Sequence, residues 1–254
     1  MNDLASGADY QNESVDDSSV ALANQHLISS AFQVHAILIT HDGARWLPEL
    51  ISSLHQLTIA PHTVRAVDTG SLDRSRELLA QDQIKTLLAD RDTGFGEAVQ
   101  LAVADVLTEN EDVQPENHWL WLLHDDCAPL PECLEELLVA VSNGPSVAVA
   151  GPKVRGWHDR NHLLEMGVSI AGNGARWTGL ERRERDQGQH DHGLKDVLAV
   201  GSAGALIRLD VWQELSGFDP HLTMFRDDVD FGWRVNVAGH RVISVPKAIL
   251  LHAE

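Results

Sequence analysis

The chain is short of cysteine, of basic residues and of long apolar runs, and each shortage removes a class of protein. Its two cysteines, Cys127 and Cys133, cannot form a disulfide framework and lack zinc-site spacing, so a reducing compartment is the simpler setting. Lys and Arg number 19 against 38 Asp and Glu, for a formal net charge of −19. Such a surface does not bind nucleic acid or anionic lipid unspecifically, because both need basic surface. It still admits a small anionic substrate if a metal ion or local arginines neutralise it. No apolar run is long enough to span a bilayer. The first residues are acidic and polar rather than basic and then apolar, so they do not read as a signal peptide. A cytoplasmic location follows, with any contact to the inner face of the plasma membrane made by regions outside this chain.

Two familiar motifs are missing as well. Gly94-Phe95-Gly96 has no third glycine at dinucleotide-fingerprint spacing and follows the third strand rather than the first. Ser71 and Ser202 lie in glycine-rich surroundings, but neither sits on a nucleophile elbow. Histidine is abundant at 14 residues, mostly in loops, where a solvated surface is the ordinary reading. His124 and His252 stand apart because each ends an apolar strand.

What is present is an alternating pattern over 254 residues, 43% hydrophobic and 22% charged, which suits one large α/β unit. Residues 1–30 are rich in Asp, Ser, Asn and Gln and read as a disordered or loosely helical acidic leader. Strands are expected at Val34–Thr40, Val64–Val67 and Ile84–Leu88. Each leads through a polar turn into a helix: one carrying Trp46, Leu47, Leu50, Ile51 and Leu54, one over Arg74–Ala80, and one from Asp92 to about Leu107. Strand–turn–helix repeated in this way implies a parallel sheet with right-handed crossovers. The next run, Trp119–Leu123, is a buried strand that stops at His124-Asp125-Asp126. Open α/β sheets bind ligands beyond the carboxyl ends of their strands. Alternation places His124 and Asp126 on one face and Asp125 on the other. Carboxylates at such an edge suit a hard cation, the usual partner of a diphosphate; a solvated turn with one Asp capping the next helix is the alternative.

Farther on, a helix carrying Leu134, Leu137, Leu138 and Val141 stops at Asn143-Gly144-Pro145, and Val147–Ala150 is another buried strand. Trp157–His192 has many glycines, the charged run Glu181-Arg182-Arg183-Glu184-Arg185 and no clean period, and is expected to be a mobile loop. Val197–Val200 and Ala205–Arg208 read as strand segments around Gly201-Ser202-Ala203-Gly204. A short helix starts at Asp210. The last helix opens on Asp227-Asp228-Val229-Asp230, acidic residues that suit the dipole of a first turn, with Val229, Trp233 and Val237 as its apolar stripe. Arg241–Val245 is the final strand, and an end just after His252 reads as a C-terminal truncation. Two carboxylate groups on different elements fit a division of labour, one set holding a metal and the other supplying a general base.

Taken in order, these motifs resemble the GT-A glycosyltransferases of family 2, inverting enzymes that use nucleotide-sugar donors. The resemblance runs from Val34 to His252. Its pieces are Thr40-His41-Asp42, Asp68-Thr69-Gly70-Ser71, Asp92-Thr93-Gly94-Phe95-Gly96, His124-Asp125-Asp126, Gly201-Ser202-Ala203-Gly204 before Arg208, Gly217-Phe218-Asp219, Asp227 through Arg234, and His252. The details are most similar to bacterial rhamnosyl- or galactofuranosyltransferases of envelope polysaccharides. The resemblance implies a GT-A fold, a Rossmann-like α/β architecture with a mostly parallel central sheet flanked by helices. In it a nucleotide-binding half spans about 31–126 and an acceptor-binding half about 127–254. Thr40, Asp68, Asp92, Gly94 and Asp125 would bind the nucleotide, with Asp68 reading the base. Asp126, His252 and His124 would hold Mg²⁺ or Mn²⁺. Asp228 would be the catalytic base, and Gly204, Asp227 and Trp177 would meet the acceptor or the sugar. The chain departs from the family's DxD motif at its first position, where His124 replaces Asp; imidazole suits Mn²⁺ better than Mg²⁺. The implied partners are a UDP-, dTDP- or GDP-sugar and a glycan or lipid-linked acceptor, not nucleic acid, and a homo-oligomer is compatible. The alternatives are a sugar-phosphate nucleotidyltransferase, or a catalytically silent GT-A module that binds sugar nucleotide or glycan.

Overall fold

A computed structural model describes residues 30–109, 115–222 and 226–253, together with 25, 27 and 28. Most of the expected acidic leader therefore lies outside the described residues. The order is β1 (Gln33–Thr40), α1 (Leu47–His55), β2 (Thr63–Asp68), α2 (Ser75–Gln81), β3 (Lys85–Leu88), α3 (Phe95–Glu109), a 3₁₀ turn (Pro115–Asn117) and β4 (His118–His124). There follow β5 (Cys127–Pro129), α4 (Cys133–Ser142), β6 (Val147–Gly156), β7 (Leu163–Glu165), β8 (Ser169–Ile170), β9 (Arg176–Trp177), β10 (Lys195–Asp196), β11 (Leu206–Arg208), α5 (Leu209–Glu214), α6 (Asp227–Val237) and β12 (Arg241–His252).

Strands β1 and β4 lie side by side in parallel at the centre and are buried on both faces. Alternation then sorts their side chains. Ala36, Leu38, Trp121 and Leu123 face α1 and α4, which contribute Leu47, Leu50, Leu134, Leu137 and Leu138. Ile37, Ile39, Leu120 and Leu122 face α3, through Ala98, Val99, Ala102 and Val103, and also Trp212 of α5 and Phe231 and Val235 of α6. Sheet order is β10-β12-β6-β11-β4-β1-β2-β3. The four strands from β4 to β3 are parallel, as the repeated strand–turn–helix pattern implies. β11 is antiparallel to both β4 and β6 and joins this block to the parallel pair β6–β12. One sheet thus joins the two parallel blocks. No helix among the described residues is long and apolar enough to cross a membrane.

Several expectations need correction. Val197–Val200 is not a strand: only Ala199 makes an isolated bridge, to Val168, and β10 lies earlier, at Lys195–Asp196. β12 does not end before Pro246. It continues to His252, and a register shift between Val245 and Ile249 accommodates the proline, which has no N–H to give a ladder. The apolar stripe of α6 is also different. Val229 is buried, but Trp233 and Val237 are 54% and 75% exposed, and Phe231 and Val235 turn inward instead. Gly232 sets that approach, since a Cβ there would come 2.5 Å from the Leu198 carbonyl oxygen. The segment 157–192 carries more order than its composition promises: β7 pairs with β6, β8 pairs with β9, and His162 bridges Arg185.

Candidate active site

The carboxyl ends of β1, β4 and β12 meet at one edge of the sheet, and the chemistry gathers there. His124 ends β4, Asp126 lies in the turn after it, and His252 ends β12. One ligand atom from each falls within 4.8 Å of the other two. His252 Nε2 is 3.3 Å from Asp126 Oδ1 and 3.4 Å from His124 Nδ1. Burial, aided by the neighbouring His252, pushes the His124 imidazole down to about 3, so it is neutral at physiological pH. His124 Nε2 lies 3.0 Å from Ser202 Oγ. The tautomer that donates Nε2–H to Ser202 leaves the Nδ1 lone pair facing the cluster, the usual way an outer partner orients a ligating histidine. Two imidazoles and a carboxylate form a donor set that fits Mn²⁺ better than Mg²⁺.

Asp125 points the other way, as alternation requires. Its Oδ2 accepts from Thr40 Oγ1 at 2.9 Å and from the His41 N–H at 2.8 Å, and burial pushes its carboxyl up. Gly43 makes room for it: a Cβ there would sit 2.3 Å from Asp125 Oδ2 and 2.7 Å from its Cβ. A glycine in the turn after β1 is the sequence signal for such an approach.

Two cavities open on either side of the cluster. The first, of about 490 Å³, is lined by His41, Thr69, Arg91, Asp92, Gly94 and Asp125 among others. The second, of about 700 Å³, is lined by Arg176, Gly201, Ser202, Arg226, Asp227 and Asp228. Phe95 and His124 border both, and their rings meet edge to face at 4.9 Å. Asp92, Gly94, Asp125 and Asp126 therefore reach the first cavity, while Asp227 and Asp228 reach the second.

Other expected site residues are placed differently. Thr40 is wholly buried and holds Asp125 rather than lining a cavity. Asp68 is also wholly buried; its Oδ1 accepts from the Ser71 N–H and Arg76 Nε, and its Oδ2 has no partner among the described residues. Gly204 serves the backbone. At φ +87° it passes against Pro152 and Leu250, where a Cβ would come within 2.7 Å, and its carbonyl accepts from Trp121 Nε1. Trp177 lies in a separate cavity of about 580 Å³ with Met166, Leu180, Lys195 and Asn236. It follows Arg176 on β9, so alternation sends the two side chains to opposite sides.

Asp228 is within 3.3 Å of Arg176 Nη2, and the same Nη2 pairs with Glu165. Glu165 Oε1 in turn accepts the Gly201 N–H at 2.6 Å. Asp227 is 6% exposed and burial pushes its carboxyl up; it accepts the Asp228 N–H. Asp230 forms the local pair with Arg234, at 2.7 Å, that their spacing implies. Ser202, Glu165 and Arg91 are additions, the last two in stretches where charge is common and no period marks them; Arg176 is one of the arginines of the segment 157–192, which the resemblance offers as phosphate partners.

The profile of glycosyltransferase-like family 2 matches residues 73–254. The chain belongs to this family. An N-acetylglucosaminyl-diphospho-decaprenol L-rhamnosyltransferase from two strains of Mycobacterium tuberculosis is 25% identical over 232 residues, 85% of this chain and 74% of that one. Solved structures share the fold at lower identity. GalNAc-T7 with UDP, GalNAc and Mn²⁺ has a TM-score of 0.66 at 13% identity and covers 88% of this chain, which spans 44% of GalNAc-T7. The mannosyltransferase PcManGT from Pyrobaculum calidifontis, with GDP-Man and Mn²⁺, has a TM-score of 0.60 at 13% identity over 93% of this chain and 66% of its own. The architecture of this family 2 chain is thus that of the GT-A glycosyltransferases, and family membership removes the nucleotidyltransferase alternative.

Proposed function

We propose that this family 2 chain is a metal-dependent inverting glycosyltransferase that moves a sugar from a nucleotide-diphosphate donor to a hydroxyl of a glycan or lipid-linked acceptor in cell-envelope polysaccharide synthesis. One arrangement carries the reading: His124, Asp126 and His252 converge where two cavities meet, and Asp228 looks into the second. The nucleotide would occupy the cavity of His41, Arg91, Asp92 and Gly94, with Asp68 beneath it. A divalent cation on the three ligands would neutralise the charge that builds on the departing diphosphate. Asp228 takes the proton of the acceptor hydroxyl while that oxygen bonds to the anomeric carbon. The bond from that carbon to the diphosphate breaks on the opposite face, and the anomeric configuration inverts. The Mn²⁺ named with both fold neighbours and the diphospho-decaprenol acceptor named for the mycobacterial relative support the metal and the acceptor class.

The test is a panel of UDP-, dTDP- and GDP-sugars with Mn²⁺ or Mg²⁺, scored for transfer to lipid-linked and free sugars and for the anomeric configuration of the product by NMR. The expected result is metal-dependent release of nucleoside diphosphate with inversion. No turnover with any donor supports the silent module, and retention of configuration removes Asp228 as the base of a single displacement.

A further inference from the structure

The acceptor-side cavity carries more positive charge than the transfer step uses. Arg176 enters it from β9, whose tight connection to β8 is closed by the Ala171 carbonyl accepting the Gly174 N–H and by Asn173 Oδ1 accepting the Ala175 N–H. Among the described residues only one nitrogen of this guanidinium is engaged: Nη2 is shared by Glu165 and Asp228. A guanidinium has five N–H donors in a fixed plane. The three on Nε and Nη1 of Arg176 have no protein acceptor among the described residues. A second guanidinium, that of Arg226, lines the same cavity and forms no ion pair among the described residues. Its backbone stands at φ +77°, just before α6 and the Asp227–Asp228 pair.

Two guanidiniums beside two lining carboxylates, Asp227 and Asp228, are an unusual lining for a cavity that would take only a neutral sugar. Planar forks of N–H donors match phosphate oxygens in pairs. The donor's diphosphate is already provided for, since it would rest on the His124–Asp126–His252 cluster, with Arg91 on the nucleotide side. Arg176 lies on the other side, against Asp228. A sugar whose hydroxyl meets Asp228 carries its own anomeric substituent one ring's width away. Nη2 of Arg176 is held between Glu165 and Asp228, and the rest of its guanidinium lines the same cavity.

We propose that Arg176, assisted by Arg226, is an acceptor-phosphate subsite that binds the phosphate or diphosphate linking the acceptor sugar to its carrier, and so selects phosphate-linked acceptors over neutral ones. This rests on the glycosyltransferase reading above. It adds a role for the β8–β9 connection: that connection delivers a selecting residue, and Glu165, fixed by the Gly201 N–H, holds it in place. It also explains how a chain with a net charge of −19 can accept an anionic second substrate.

The experiment compares two acceptors that differ only in the linkage: an N-acetylglucosaminyl diphosphate with a short alkyl tail, and the alkyl N-acetylglucosaminide with the same tail. The parent protein, Arg176→Gln, Arg176→Lys and Arg226→Gln are assayed with the donor selected by the panel. In Arg176→Gln the ratio of kcat/KM for the diphosphate acceptor to that for the neutral acceptor falls about 10- to 100-fold, the worth of a charge-assisted pair. Arg176→Lys recovers part of the ratio, because the charge remains without the fork, and Arg226→Gln shows a smaller fall. The Kd for nucleoside diphosphate with Mn²⁺ moves less than the ratio in every variant. An equal loss on both acceptors makes Arg176 only a positioning partner of Asp228 and overturns the proposal. A loss confined to nucleoside diphosphate affinity assigns the arginine to the donor and overturns it too. If the parent transfers from no donor, the glycosyltransferase reading has failed, and equilibrium binding of the diphosphate acceptor decides the subsite alone: equal affinity in parent and Arg176→Gln overturns it.

Discussion

Asp227 and Asp228 are consecutive, yet they meet different surroundings. Residues on a helix advance by about 100°, so although both carboxylates line the second cavity, Asp227 is 6% exposed and accepts the Asp228 N–H, while Asp228 stands beside Arg176. Asp230 is occupied by Arg234. The three carboxylates should therefore separate on mutation. Asp230→Asn loses a local pair worth about 0.3–0.5 kcal/mol and should leave transfer close to the parent rate, read as kcat at saturating donor. Asp126→Asn keeps shape but removes the charge of the proposed metal ligand. Nucleoside diphosphate with Mn²⁺ should then no longer raise Tm, although the ligand-free protein melts near the parent; retained Mn²⁺-dependent stabilisation would remove Asp126 from the metal site. The meeting of His124, Asp126 and His252 was legible in the sequence, because each lies at the end of an apolar run at the same edge of a sheet. The roles of Thr40 and Gly204 were not. Motif order cannot tell a residue that touches a ligand from one that braces its neighbour, and Thr40 turned out to brace Asp125.

At the scale of elements, the segment 157–192 was the least legible. Its pairings are two residues long, and its ties mix ion pairs with scattered apolar anchors such as Leu163, Met166 and Val168, so no periodicity announces them. Lys153 on β6, 1% exposed, pairs with Asp186 and Asp191, and Arg155 adds a second cation on Asp186. These ties hold the far end of the segment to the sheet, while Arg176 and Glu165 hold its near end to the cavity. Lys153→Met leaves Asp186 buried with Arg155 alone. Removing one partner of a buried pair costs about 3–5 kcal/mol, and the remaining cation should keep the loss at or below the lower end. Limited proteolysis should then cut faster near Arg182-Arg183-Glu184-Arg185 in the variant than in the parent. Saturating donor with metal should slow cutting in the parent if the segment closes over substrate, and equal cutting with and without ligand would count against closure.

For the whole molecule, the central sheet was readable because β1 and β4 are apolar on both faces, a pattern only a doubly covered strand supports. The antiparallel insertion of β11 was not, since three residues carry no periodicity of their own. The sheet also houses a buried histidine cluster at the opposite end from the site. His35 Nε2 lies 2.8 Å from His118 Nδ1, and His35 Nδ1 lies 2.9 Å from Thr63 Oγ1. Burial, with smaller contributions from His118, Arg65 and His62, lowers the His35 value from 6.5 to about 4, and burial lowers that of His118 as well. Between those two values the unfolded chain binds more protons than the folded one. The stability contributed by neutral His35 is therefore complete above about pH 6.5 and lost as pH falls towards 4. Urea midpoints should decline over that window, and His35→Gln, which cannot become charged there, should flatten the decline; an unchanged slope would assign it to other groups.

The central claim is that Asp228 is the base of a transfer organised around the His124–Asp126–His252 cluster, and the transfer rate of Asp228→Asn tests it most directly. Loss of a positioned base lowers rates about 10²- to 10⁴-fold. With the donor identified by the panel, Asp228→Asn should bind nucleoside diphosphate and Mn²⁺ with an affinity close to that of the parent while transfer falls by that order. Transfer at close to the parent rate would contradict the account.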